Sequence, residues 1–210
     1  MKTIVTILAL IFGMTTALAA EQFVVFNSTT NSVCLTDMKG EIVCDKKDWK
    51  GVHIAVDNLK EDLRKVTGRD DFPIIVGTLG RSSAIDKLAR KKVIDASTLK
   101  GKREKYVITF ADGRLIIAGS DKRGTIYGIY ELSKQIGVSP WYDWADVPVE
   151  RQEAIYIKYG IYTDGEPTVT YRGIFLNDEA PCLSGWIREH YGGAYHSQFS
   201  ARVLELVLPL

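Results

Sequence analysis

The chain has 210 residues, 46% of them hydrophobic and 25% charged, the proportions of a folded protein with one large or two small domains. Its 27 basic and 26 acidic side chains leave a formal net charge of +1. That near-neutrality, with no long run of one sign, excludes a global field drawing the chain to nucleic acid or anionic lipid.

The first twenty residues read as a targeting signal. Lys2 gives a positive start, Thr3–Met14 is apolar, and the small residues Thr15–Ala20 end in Ala17-Leu18-Ala19-Ala20. That three-part pattern predicts a secretory signal peptide, cleaved near Ala19 or Ala20. Its apolar core is too short for a stable membrane span. A mature protein starting near Glu21 is therefore expected in a secreted or periplasmic location, with no membrane association after cleavage.

Export makes a disulfide between Cys34 and Cys44 permissible, although spacing alone does not fix the pairing. Cys182 is expected to be a small buried hydrophobe and not a thiol nucleophile, because no Cys–His signature surrounds it.

Phe23–Phe26 is a predicted strand. Ser32–Leu35 and Glu41–Cys44 are predicted to form a hairpin turning at Gly40. Asp48 is expected to cap a helix over Trp49–Val66, whose buried face is Val52, Ala55, Val56, Leu59, Leu63 and Val66. Glu61 and Lys65 form an i,i+4 pair on its outside, and Gly68 ends it. His53 reads as a solvated or capped side chain, lacking metal-spaced partners. Phe72–Gly77 is a strand, and Ser82 or Ser83 caps a helix running to about Lys91.

Lys105–Phe110 and Arg114–Ala118 flank Asp112-Gly113, a strong hairpin signal. A helix follows over Lys122–Ile136, with Gly124 and Gly128 on one face for close packing. Gly119–Thr125 is not a phosphate loop, since no Lys precedes Thr125. The aromatic stretch Trp141-Tyr142-Asp143-Trp144 suits either stacking on sugars or wedging two domains together, and the wedge is favoured. Ala154–Tyr159 is a strand.

The composition loosens across Val149–Pro167. The chain divides into an N-terminal α/β sandwich domain over 21–160 and a second unit over 161–210. In the second, Tyr171–Leu176 reads as a buried strand running into Asn177, Asp178 and Glu179, with Pro181 stopping it. Carboxylates at a strand's end suit chemistry at the C-terminal edge of a parallel sheet or barrel, and equally a helix N-cap. Leu183–Tyr191 and Ser197–Leu208 follow as helices. In the latter, Phe199, Val203, Leu206 and Val207 form an apolar face that one strand and one helix leave uncovered. The chain is therefore expected to be a fragment, a truncated product or dependent on a partner.

GSDKRGTIYGIYELSKQIGVSPWYDWADVPV at Gly119–Val149 and YRGIFLNDEAPCLSGWIREHYGG at Tyr171–Gly193 resemble glycoside hydrolase family 115, the xylan α-1,2-glucuronidases. TLGRS at Thr78–Ser82 and KVTG at Lys65–Gly68 are similar to that family's N-terminal domain. The resemblance implies an N-terminal α/β domain followed by a truncated (β/α)8 barrel, with its first strand at Tyr171–Leu176 and then its first helix.

The implied reaction is inverting removal of glucuronic acid, or its 4-O-methyl ether, from glucuronoxylan, with no cofactor and no metal. Inverting carboxylates stand roughly 6.5–9.5 Å apart, and adjacent Asp178 and Glu179 leave an extended strand on opposite sides. Asp178 is therefore the candidate catalytic pocket residue, with the acid and base expected from later barrel strands. Asn177 is expected to hydrogen-bond substrate, and Glu179 and Trp186 are further substrate-binding candidates, each with a structural role as the alternative. The rival reading is a non-catalytic carbohydrate-binding or interaction module using Trp141–Trp144.

Overall fold

The computed structural model describes residues 21–177, 179–192 and 197–208. Residues 1–20, expected above to be a signal peptide, and Asp178 lie outside the described residues. Five strands form a mixed sheet in the order β3 (Ile42–Cys44), β4 (Ile74–Thr78), β6 (Arg114–Gly119), β5 (Tyr106–Ala111), β8 (Ile161–Tyr162). β3, β4 and β6 are parallel; β5 runs antiparallel to β6 and to β8. A smaller antiparallel sheet places β7 (Tyr156–Lys158) between β1 (Val24–Val25) and β2 (Ser32–Cys34).

The pleat explains how both sheet faces are filled. On β6, Leu115 and Ile117 face α1 (Lys50–Thr67) and α3 (Lys122–Gln135), where Leu59, Leu63 and Ile129 complete one core. Ile116 and Ala118 face the opposite side and meet Ile85 of α2 (Ser83–Arg90), with Ile94 and Leu99. A strand buried on both faces reads as a continuous apolar run, and β6 does.

The helix readings hold with local changes. Every residue assigned to the buried face of α1 is buried. Its N-cap is Trp49, however, because the Asp48 carboxylate is committed elsewhere. Asp48 accepts from the Thr78 backbone N–H at 2.7 Å and from the Thr78 hydroxyl at 2.8 Å, fastening the start of α1 to the end of β4. Glu61 pairs with Arg64 at 2.6 Å and Lys65 with Asp62 at 3.6 Å, in place of the expected Glu61–Lys65 pair. Ser82 caps α2, accepting from the Ile85 N–H. At the β5–β6 turn Asp112 and Gly113 have φ of 51° and 70°, the paired positive values a type I′ hairpin requires. Gly124 and Gly128 let α3 approach β5 and β6: a Cβ on Gly124 would lie 2.3 Å from the Lys105 carbonyl oxygen.

Two strand expectations are corrected, and two cysteine expectations with them. β2 and β3 do not form a hairpin. β2 pairs with β7, and β3 pairs in parallel with β4, because each finds a longer-range partner in a different sheet. Cys34 and Cys44 are consequently both free thiols, and burial with nearby Asp48 and Asp45 pushes the Cys44 thiol up to about 12. Cys182 is also free and is exposed, not buried. Tyr171–Leu176 is not a buried strand: no described strand pairs with it, and Tyr171 and Phe175 are 91% and 90% exposed.

The expected boundary at 160/161 falls just before β8, whose residues still pair with Ile108 and Thr109 of the larger sheet. Beyond it come α4 (Leu183–Tyr191) and α5 (Ser197–Val207). The apolar face of α5 is covered in part, since Phe199 and Leu206 are buried. No described helix is long and apolar enough to cross a membrane.

Candidate functional site

The segment leading to Asn177 is held down by a set of charged hydrogen bonds. The Arg103 backbone N–H donates to Glu166 at 2.8 Å, and its guanidinium bonds the Pro167 carbonyl at 2.5 Å and the Thr170 hydroxyl. Tyr106 donates its hydroxyl to Asp164 at 2.8 Å; burial first, then nearby Glu131 and that bond, push the phenol well above its ordinary range. Glu104 is the centre of the latch. Its side chain is fully buried and takes Arg123 and Arg172 at 2.6 Å each. Arg172 also donates to the Val169 carbonyl at 2.6 Å, which fixes the chain direction as it leaves the sheet.

Past this latch the backbone is exposed through Asn177 and Glu179. Asn177 and Glu179 are exposed and thus present an amide and a carboxylate to solvent. The expected catalytic residue between them, Asp178, lies outside the described residues. Among those described, no cluster of His, Cys, Asp or Glu could hold a metal ion.

Trp186 is the fourth candidate. It is half-buried in α4 within an aromatic cluster. Its ring stacks on Trp144 at 5.6 Å and on His190 at 4.3 Å, and Tyr191 and Phe199 lie within 5.8 and 6.2 Å. The i,i+4 spacing on α4 brings His190 onto Trp186, and His190 Nδ1 lies 2.9 Å from the Trp186 carbonyl. The Trp144–Trp186 stack ties the aromatic stretch to the C-terminal helices. It joins the 139–145 turns to α4 and α5, and Arg202 of α5 adds a bond to the Tyr142 hydroxyl at 2.9 Å.

Behind this wedge lies a cleft of about 380 Å³ between α1, α3, the 138–144 loop and α5. Its floor carries Asp62, 7% exposed, and Ser133, 3% exposed. Burial raises the Asp62 carboxyl above the ordinary range; the adjacent Ser133 hydroxyl and Lys65 oppose the rise. Sequence reasoning did not single out this site, yet it left a signal. Asp62 falls at i+3 from Leu59 and i−4 from Val66, placing a carboxylate inside the apolar stripe of α1.

The family model for glycosyl hydrolase family 115 matches residues 164–210. One solved structure, a family GH115 4-O-methyl-α-glucuronidase with specificity for decorated arabinogalactans, is 34% identical with a TM-score of 0.72. The match covers 82% of this chain and 24% of that one, so the chain spans about a quarter of that protein's length. CpGH84D and CpGH84B give TM-scores of 0.40 and 0.43 at 10% and 15% identity, covering 66% and 90% of this chain and 22% and 34% of theirs. No curated protein sequence matches.

Proposed function

The chain belongs to glycoside hydrolase family 115, and from that premise we propose that it contributes the N-terminal α/β domain and the start of the catalytic barrel to an exported α-glucuronidase. The observation that carries the reading is the 34% identity and 0.72 TM-score across 82% of the chain to a 4-O-methyl-α-glucuronidase. The reaction is inverting hydrolysis that releases glucuronic acid, or its 4-O-methyl ether, from glucuronoxylan.

Tyr171–Leu176, unpaired with any described strand, becomes the first strand of the (β/α)8 barrel only when further strands of the whole enzyme pair with it. Its present exposure supports this reading, since an apolar segment bearing Tyr171, Ile174 and Phe175 needs neighbours to bury it. Asn177, Asp178 and Glu179 then form one lip of the sugar pocket, at the C-terminal edge where barrel chemistry is placed. Asp178 is the essential pocket carboxylate, Asn177 bonds a sugar hydroxyl, and the general acid and base come from later strands. Glu104, Arg103 and Arg172 position this lip from below without touching substrate.

The relative's specificity for decorated arabinogalactans makes glucuronidated arabinogalactan the second substrate to test. The test is release of uronic acid from both polysaccharides by the full-length protein and its Asp178→Ala variant. Loss of most turnover on Asp178→Ala, with the fold retained, is the expected outcome. Undiminished turnover by the variant removes Asp178 from the site, and no release from either polymer by the parent protein overturns the activity.

A further inference from the structure

We propose that the cleft between α1, α3, the 138–144 loop and α5 is a second carbohydrate site, one that takes a neutral, hydroxyl-rich sugar ring. It is separate from the Asn177–Glu179 lip and does not depend on the hydrolytic reading.

Its size, about 380 Å³, lies in the range of pockets that bind small ligands, roughly 300–1,000 Å³. The polar groups on its floor are built in and incompletely used. Ser133 sits in the interior of α3, where a serine ordinarily bonds back to the carbonyl four residues earlier. Here its hydroxyl lies beside the Asp62 carboxyl but outside hydrogen-bonding geometry to any protein atom, although it is buried. A buried hydroxyl whose nearest acceptor is poorly placed is under-used, and a ligand that supplies a well-placed partner recovers part of the cost. The Tyr130 hydroxyl accepts from Asn58 Nδ2 at 2.8 Å, which leaves its own proton free to be donated. Asp62 supplies an acceptor of the charge-assisted kind. Ser133, Tyr130 and Asp62 together match the paired donor and acceptor character of sugar hydroxyls. Half-buried Trp144 supplies an aromatic wall.

Charge selects against an acidic sugar. Glu61, Asp62, Asp143 and Glu205 line the cleft against only Lys65 and Arg202. Both cations are already engaged: Lys65 lies over the Tyr142 ring at 4.2 Å and 3.6 Å from Asp62. Arg202 bonds Glu205 at 2.9 Å and sits 3.7 Å from Asp143. A uronate carboxylate therefore meets net negative charge with no cation available to clamp it, whereas a neutral ring meets hydroxyl partners.

The test is saturation-transfer NMR and calorimetric titration of the full chain with xylotriose and β-1,3-galactobiose as neutral probes and glucuronic acid as the acidic one. At least one neutral sugar binds with a Kd of about 1 mM or below, and glucuronic acid binds at least about tenfold more weakly. Ser133→Ala weakens the neutral sugar roughly three- to tenfold, the worth of one hydrogen bond, and Asp62→Asn weakens it further. Ser133→Ala removes a single oxygen that makes no well-formed bond to the protein and preserves the fold, so it decides the matter even where Asp62→Asn proves unstable. Absence of binding by both neutral sugars, glucuronic acid binding as tightly as they do, or unchanged affinity in Ser133→Ala each overturns the proposal.

Discussion

Replacing Gly124 by alanine isolates the contact that sets how closely α3 lies on the sheet. The new Cβ would stand 2.3 Å from the Lys105 carbonyl oxygen and 2.9 Å from its carbonyl carbon and amide nitrogen. Carbon–oxygen contacts ordinarily begin near 3.3 Å, so the overlap is about 1 Å against backbone that cannot swing aside. Overpacking of that kind costs about 1–3 kcal/mol, while alanine in a helix interior returns roughly 1 kcal/mol of propensity. The net expectation is a loss of up to about 2 kcal/mol. In urea this lowers the unfolding midpoint by about 1 M for a slope of about 2 kcal/mol per molar. Gly128→Ala meets the Ile117 Cγ2 at 2.9 Å and the Tyr106 Cβ at 3.1 Å, a shallower overlap and with side chains only, and loses less. Gly185→Ala, with nothing within 4 Å, gains up to about 1 kcal/mol from propensity alone. One chemical change thus spans both signs. A Gly124→Ala midpoint at or above that of the parent protein would refute the close-packing account, because only an open helix surface gives that result.

Two further outcomes follow from the latch and from the start of α2. Glu104→Gln removes the charge that holds Arg123 and Arg172. Both arginines are about half exposed and can turn to water, so the loss is about 1–3 kcal/mol. Amide exchange across 163–172 accelerates, and unchanged exchange there would show that the ion pairs do not pin the segment. Asp45, bonded by the Ser83 hydroxyl and by the Lys47 and Ser83 amides, is held down at about 2 against an ordinary 3.8. A depressed carboxyl contributes stability that is complete above its unfolded value and is lost as pH falls through the folded one. Thermal melts taken from about pH 5 to pH 2 therefore decline less steeply in Asp45→Asn than in the parent, and equal slopes would exclude the clamp.

Local patterns were legible in the sequence because their causes are local. The stripe of α1, the Ser82 cap, the Asp112-Gly113 turn and the glycine pair of α3 each depend on residues a few positions apart. β2 and β3 misled because two short apolar runs around a glycine look like a hairpin, and nothing nearby discloses that β7 and β4 are better partners. Tyr171–Leu176 carries the composition of a buried strand, but burial requires neighbours and not composition. Of the candidate site, the position of Asn177 and Glu179 after an apolar run was readable. The Glu104 latch beneath them was not, since its ion pair with Arg172 spans 68 residues. Asp62 was visible as an odd carboxylate in an apolar stripe, whereas Ser133 needed the packing of α3 to show that its hydroxyl makes no well-formed bond to the protein.

The position of β7 between β1 and β2 has a consequence for the order of events during synthesis. Lys158 bonds the Gln22 carbonyl across 136 residues, and Ile157 is the ladder partner of both Val24 and Val33. The first strands to leave the ribosome must therefore wait, with their edges open, until nearly the whole domain has followed them. Such long-range closure is slow, and an open strand edge invites pairing with another chain. A nascent product ending before residue 156 keeps α1, β4, the β5–β6 hairpin and α3, but leaves both β1 and β2 without the strand that joins them. The vulnerable interval of this protein's life is set by the middle strand of its smaller sheet being the last of the three to be made.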